Sequence, residues 1–423
     1  MHHFKYHDRT LHCEAVPITR IAQQIGTPFY LYSHATLERH FKAFQSAFQA
    51  ADPLICYSAK ANSSQALLTL FRQWGGGLDI VSGGELDRGV RAGFSPQKIV
   101  YSGVGKRIDE IDAAIGCDIL MFNIESIDEL TLIDQRAGAL GRKARVAMRI
   151  NPDVDPRTHP YISTGLKKNK FGIDMAQALD GYRAAMKMAN IEIAGIDCHI
   201  GSQITTIEPF QEALASLKQL IAELSNLGIS IRYLDMGGGV GITYHEETPP
   251  DLGAYADGLI DSIKDLKLKL ILEPGRVIVG NAGILVTRVL YRKQGSAKTF
   301  LVTDAGMNDL IRPTLYGAYH AIEPVEQHDR AIITADVVGP ICESGDFLAQ
   351  ERSMADVRPD ELLAVMSAGA YSFVMASNYC SRLRAAEVLV RGDRFDTIRE
   401  REKLDDLVRG EQVPTWMRGA DET

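Results

Sequence analysis

Several residues able to do chemistry stand directly behind short apolar runs of this chain. Lys60 belongs to Tyr57-Ser58-Ala59-Lys60-Ala61-Asn62, behind the run 53–59. A charged amine is costly to bury there. Either it reaches solvent at a rim, or it is an amine of lowered pKa that condenses with a carbonyl. Gly237-Gly238-Gly239 and Glu273-Pro274-Gly275-Arg276 follow two later runs. Glycines let backbone N–H groups approach a ligand closely. An arginine can hold a carboxylate or phosphate through two parallel hydrogen bonds. In isolation the triplet is an ordinary turn and Arg276 a surface ion pair. Glu273, if buried, needs a partner: Arg276, another cation, or a protonated ring nitrogen on a ligand. His199, in Cys198-His199-Ile200-Gly201-Ser202-Gln203, can stack on a ring or relay protons. Its ordinary reading is a hydrogen-bonded core histidine.

Three further groups lie towards the C-terminus. Cys342-Glu343-Ser344-Gly345-Asp346 places a thiol beside acids, behind a β-like run. Such a thiol can act as a general acid, or it is a buried cysteine in a turn. Arg312-Pro313-Thr314-Leu315-Tyr316 offers a guanidinium and a phenol, and Gly369-Ala370-Tyr371 a second phenol. Each is weak alone.

The elements that must position these residues alternate regularly. Apolar runs at 53–59, 77–81, 98–101, 118–122, 145–150, 195–200, 231–236 and 268–272 are separated by amphipathic stretches such as 209–227. Continuous apolar runs suit strands buried on both faces. Eight strand–helix units predict a (β/α)8 barrel, with a doubly wound open sheet as the alternative. Functional residues of such a barrel gather at the C-terminal ends of its strands. Lys60, Ser82, Asn123, Asn151, His199, the glycine triplet and Glu273–Arg276 all fall there. Before the barrel, 18–25 reads as a short helix and 29–32 as a strand. Ser33 reads as the N-cap of a helix carrying Leu37, Phe41, Phe44 and Phe48 on one face. After Arg276 the runs 277–290, 299–304, 331–338, 361–366 and 387–390 are rich in Val, Ile and Thr. They predict a second, mainly β domain of barrel or sandwich type. The division is 30–280 for the barrel, with 1–29 and 281–423 forming the β domain.

Composition narrows the function classes. The 423 residues exceed what one core usually supports. A net charge of -8 gives no reason to expect nucleic acid or an anionic membrane as partner. The six cysteines are scattered without a C-x-x-C pair, which argues against a zinc ribbon and predicts free thiols in a reducing cytosol. No metal site is expected. No apolar run approaches the ~20 residues of a membrane helix.

Taken together, Y-S-A-K-A-N at 57–62, H-I-G-S-Q at 199–203, G-G-G at 237–239, E-P-G-R at 273–276, R-P-T-L-Y at 312–316, C-E-S-G-D at 342–346 and G-A-Y at 369–371 resemble the diaminopimelate decarboxylase family. That family belongs to the alanine-racemase-like class of pyridoxal phosphate enzymes. Gly26–Tyr32 also resembles its opening segment. The resemblance implies pyridoxal 5'-phosphate as cofactor, carried by Lys60 as a Schiff base. His199 is then expected to stack on its ring and Glu273 to pair with its nitrogen. Gly239, Gly275 and Arg276 are expected to line the phosphate region, with Tyr371 adding a hydroxyl. Arg276, Arg312, Tyr316, Glu343 and Tyr371 are expected to hold the substrate. Cys342 is expected to donate the proton from a partner subunit, which implies a homodimer. The implied reaction is decarboxylation of meso-2,6-diaminopimelate to L-lysine.

Other readings remain at this point. A related decarboxylase could act on ornithine, arginine or carboxynorspermidine, which lack the distal amino-acid centre. A racemase needs a proton donor on each face of the carbanion. A non-catalytic pyridoxal phosphate carrier resembles the barrel alone, and a class I aldolase needs no second β domain.

Overall fold

The computed structural model describes residues 2–167 and 169–417; position 168 and the outer ends of the expected β domain, 1 and 418–423, lie outside the described residues. All eight apolar runs of the first region form strands: Leu54–Ser58, Gly77–Ile80, Ile99–Tyr101, Met121–Ile124, Ala144–Asn151, Ile191–Asp197, Tyr233–Asp235 and Lys269–Leu272. They pair in parallel in this order, and Lys269–Leu272 returns to Leu54–Ser58 through Ile271↔Leu54. The sheet is therefore a closed (β/α)8 barrel, not an open doubly wound sheet. Gly77–Ile80 and Met121–Ile124 are buried throughout, as strands covered on both faces require.

Two boundaries differ most from expectation. The sixth strand runs Ile191–Asp197 rather than 195–200, with a register shift between Ile193 and Gly195. His199 thus stands two residues beyond the strand, in the loop. Residues 277–279, read as the start of a strand, continue the short helix Arg276–Val279, and the strand begins at Gly283.

The second domain is built around Gly283–Gln294. Its first half pairs with Phe29–Ser33 and with Leu362–Val365, and its second half with Thr299–Thr303. Ile332–Val338 and Phe347–Ala355 extend one side of the sheet, Ala386–Arg391 and Arg394–Arg399 the other. Phe29–Ser33 belongs to this sheet, so the chain crosses from the β domain into the barrel at Ser33. Ser33 caps the helix His34–Ala47 by accepting from Thr36 N (3.1 Å). That helix buries Leu37, Phe41 and Phe44. Phe48 lies just past its end and is also buried.

The N-terminal helix is Ile18–Ile25, as its spacing predicts. It packs Ile18 and Ile21 with Phe29, Leu31, Ile284, Val286 and Val388 into a second core under the β domain. Among the described residues no helix is long and apolar enough to cross a membrane.

Candidate active site

The mouth of the barrel meets the β domain through backbone contacts between two of the motifs. Tyr371 N donates to Ala61 O (2.8 Å), and Asn62 Nδ2 donates to Gly369 O (3.1 Å). The lysine loop and G-A-Y are therefore one structural unit. Tyr371 itself has positive φ (54°) and sits with its ring 4.8 Å from the Arg276 guanidinium.

Lys60 Nζ donates to Asp79 Oδ2 at 2.8 Å, and Ser58 Oγ donates to the same oxygen at 2.6 Å. Asp79 is fully buried in the second strand. Burial alone lowers the Lys60 pKa, but the carboxylates of Asp79 and Glu273 outweigh it and hold the amine above its ordinary value. This corrects the expectation of a lowered pKa. The cause is Asp79, whose Gly77-Leu-Asp-Ile context reads as an apolar strand and gives little signal of function.

Glu273 is buried, and its partner is not Arg276. Its Oε1 accepts from Ser102 Oγ and Asn123 Nδ2, both at 3.3 Å. Asp197, Asp235 and Glu273 bring carboxylate oxygens within 4.8 Å of one another. Asn123 also donates to Asp235 Oδ2 (3.1 Å) from within its strand rather than behind it. Burial and the neighbouring acids push Glu273 and Asp197 well above the carboxylate range, and Asp235 to about 8. Such a group can hold or share a proton with a ligand nitrogen. Asp197 and Asp235 were not singled out by the motifs. The acidic residue ending each of two successive barrel strands was the available signal.

His199 Nδ1 accepts from Gly238 N (3.1 Å), which leaves its proton on Nε2. Burial, Arg149 and Lys60 lower its pKa well below the ordinary value, so the ring is neutral. Arg149 is a further residue the motifs missed. It is buried, pairs with Glu125 at 2.7 Å and donates to His199 O. Glycine is required beside this histidine. A Cβ on Gly239 (φ 112°) would lie 2.5 Å from Gly201 O, and one on Gly238 2.2 Å from Glu273 O. At Gly275 a Cβ would press on Ser58 and Ala61 at 3.1 and 3.0 Å.

Arg276 and Arg312 are both buried, and both line a cavity of about 230 Å³ that also includes Tyr244 and Tyr316. Arg276 donates to Tyr244 Oη (2.7 Å) and Ser202 Oγ (3.0 Å). Among the described residues neither arginine forms an ion pair, and the Nε of each is buried without a partner. Cys342 and Glu343, by contrast, are exposed on the loop behind Pro340. That loop is tied to Arg312–Tyr316 by Thr314 Oγ1 donating to Gly345 O (2.5 Å). Within one chain the structure gathers Lys60, His199, Gly239, Glu273, Gly275, Arg276 and Tyr371 at the barrel mouth, with Arg312 and Tyr316 beside them. It leaves Cys342 and Glu343 on the surface.

The comparisons with known proteins agree with this geometry. Residues 34–280 match the family model described as pyridoxal-dependent decarboxylase, pyridoxal binding domain. The chain is 50% identical over 410 residues to diaminopimelate decarboxylase of Aquifex aeolicus, covering 96% of each. It is 52% identical over 402 residues to that of Neisseria meningitidis serogroup B, covering 95% of this chain and 97% of the relative. The chain belongs to the diaminopimelate decarboxylase family. A solved relative, diaminopimelate decarboxylase from Helicobacter pylori complexed with L-lysine, superposes with TM-score 0.90 at 43% identity, covering 93% of this chain and 98% of that one. The barrel is thus a pyridoxal-binding domain, and its residues fit that group. They offer an amine at Lys60, a neutral imidazole at His199, a buried protonatable carboxyl at Glu273 and a glycine-lined loop.

Proposed function

We propose that the chain is a carboxy-lyase that converts meso-2,6-diaminopimelate to L-lysine and CO2, the last step of lysine biosynthesis, with pyridoxal 5'-phosphate as cofactor. The observation that carries this reading is the pair Arg276 and Arg312. Two buried guanidinium groups that have no acidic partner among the described residues and face one cavity suit a substrate with a carboxylate beyond the one it loses. Ornithine and arginine have no such group. A site of this kind rejects them because its own buried charges would stay unpaired.

When bound, the cofactor supplies an aldehyde for the substrate amine and a protonated ring that accepts the electron pair left by CO2. Lys60 would hold the cofactor through its amine. Glu273 would pair with the ring nitrogen, whose positive charge when protonated would offset the burial and the neighbouring Asp235 that otherwise keep this carboxyl protonated. His199, a neutral imidazole, would pack against the ring. Gly239, Gly275 and Arg276 form the phosphate region, with the Tyr371 hydroxyl. Arg276, Arg312, Tyr316 and Tyr371 hold the substrate carboxylates, and Glu343 holds the distal ammonium.

Cys342 gives the α-carbon its proton. Its exposure, and that of Glu343, supports their reaching the site of a neighbouring copy, so we read the working unit as a homodimer. We also keep two domains, with the sheet pairing of Phe29–Ser33 supporting a first boundary near residue 33 rather than 30. Six unpaired cysteines support a cytosolic location.

The test is CO2 release from meso-diaminopimelate, ornithine and arginine in parallel, with added cofactor. Release from diaminopimelate alone, with lysine formed, is the expected result. Release from either other substrate moves the assignment to a related decarboxylase, and release from none overturns it.

A further inference from the structure

His320 stands eight positions beyond Arg312 and is fully buried. The helix Arg312–Tyr316 ends on Gly317 in the left-handed region (φ 60°), and the chain turns back so that His320 meets Arg312 again. His320 Nδ1 lies 2.8 Å from Met366 O. A carbonyl can only accept, so Nδ1 carries the proton and Nε2 presents its lone pair. That lone pair faces Arg312 Nη1 at 2.8 Å. The face of the guanidinium is fixed too, because its Cζ lies 4.4 Å from the centroid of the Tyr244 ring. His320 stacks edge-on against the same ring, at 5.3 Å and 74°, and the Tyr244 hydroxyl accepts from Arg276.

One histidine therefore touches one arginine directly and the other through a shared tyrosine. Occupation of Nη1 leaves the Nε–Nη2 edge of Arg312, whose Nε has no partner among the described residues. That edge has the two parallel N–H bonds that fit a carboxylate. An imidazole is suited to this task where a carboxylate is not. An acid would orient Arg312 but cancel its charge and compete with the ligand. Burial first, then Arg312, Arg276 and Arg352, act against protonation of His320, so it stays a neutral acceptor.

We propose that His320 is a positioning residue that sets substrate affinity, by holding the Arg312 fork open towards the carboxylate of the bound amino acid. This rests on the reading of Arg312 as a substrate-binding group.

The test uses cofactor-loaded protein carrying His320→Asn, too short to reach Arg312, or His320→Gln, which restores an acceptor with longer reach. Each is also combined with Arg312→Lys. His320→Asn is expected to raise KM for meso-diaminopimelate about tenfold with kcat within about twofold, the loss of one hydrogen bond to a charged group. His320→Gln is expected to recover a large part of that loss. In the Arg312→Lys background neither change should raise KM further, because the group they act through is already altered. An unchanged KM in His320→Asn, or a KM increase that persists in full beside Arg312→Lys, overturns the proposal. So does loss of fold or of bound cofactor in both variants, which would show a purely structural role. Wild-type protein that releases no CO2 defeats the functional reading itself, before any variant is compared.

Discussion

At the scale of single residues, the site works by placing charges where water cannot level them. Lys60 is held protonated chiefly by Asp79, while Glu273 is buried beside Asp197 and Asp235 and held well above the carboxylate range. Lys60→Ala removes the anchoring amine. After loading with pyridoxal phosphate and dialysis, that variant is expected to lose the visible absorbance that wild type retains, and an unchanged band would contradict the assignment. His320 makes a second prediction. Burial first, and Arg312 second, depress its pKa from 6.5 to about 3. The unfolded chain therefore binds a proton below about pH 6.5 that the folded protein refuses until about pH 3. Stability contributed by the neutral ring is full above the unfolded pKa and is lost as pH falls through this window, by up to about 1.4 kcal/mol per pH unit. Wild type should lose stability faster than His320→Asn between about pH 6.5 and pH 5. Parallel declines in urea unfolding would show that the ring is not held neutral.

At the scale of elements, the loops behind the strands carry the site, and their backbones are as constrained as their side chains. Gly239 has φ 112° and no room for a Cβ against Gly201 O. Gly239→Ala must displace that loop, whose partner is the backbone of Ile204. It is expected to weaken cofactor retention at least tenfold while the barrel still folds, measured as cofactor bound at equilibrium; wild-type retention would remove the loop from the phosphate region. The strands themselves were legible in sequence because all eight are apolar enough to be buried on both faces. Strand ends were less so. Residues 198–200 are apolar apart from His199, yet the strand stops at Asp197: Cys198 N makes the last ladder bond, to Asp235 O, and Ile200 O is taken instead by Thr164 N and Gly165 N of another loop.

At the scale of the whole molecule, the barrel and the β domain share one continuous core, and the motifs from both converge on one mouth. Cys342 and Glu343 are the exception, and their exposure makes a prediction about assembly. Lys60→Ala and Cys342→Ala should each be nearly inactive alone. Mixed and allowed to exchange subunits, they should recover roughly a quarter of wild-type activity, since half the dimers are hybrids with one intact site each. No recovery, with exchange verified, would place Cys342 in its own chain's site or outside catalysis.

What the sequence determined by itself was the set of reacting groups and the order of the elements that bear them. Lys60, His199, Glu273, Arg276 and Arg312 stand in motifs, and the period of apolar runs is local information that survives without coordinates. What only the tertiary structure decided was how those groups are tuned. Asp79, Asp235 and Arg149 are charged residues inside apolar strands, and their influence on Lys60, Glu273 and His199 arises from strands adjacent in the barrel but distant in the chain. The same holds for His320, which reaches Arg312 because a left-handed glycine turns the chain and Met366 fixes its tautomer. Electrostatic tuning acts through space across a buried interior, so no linear spacing encodes it.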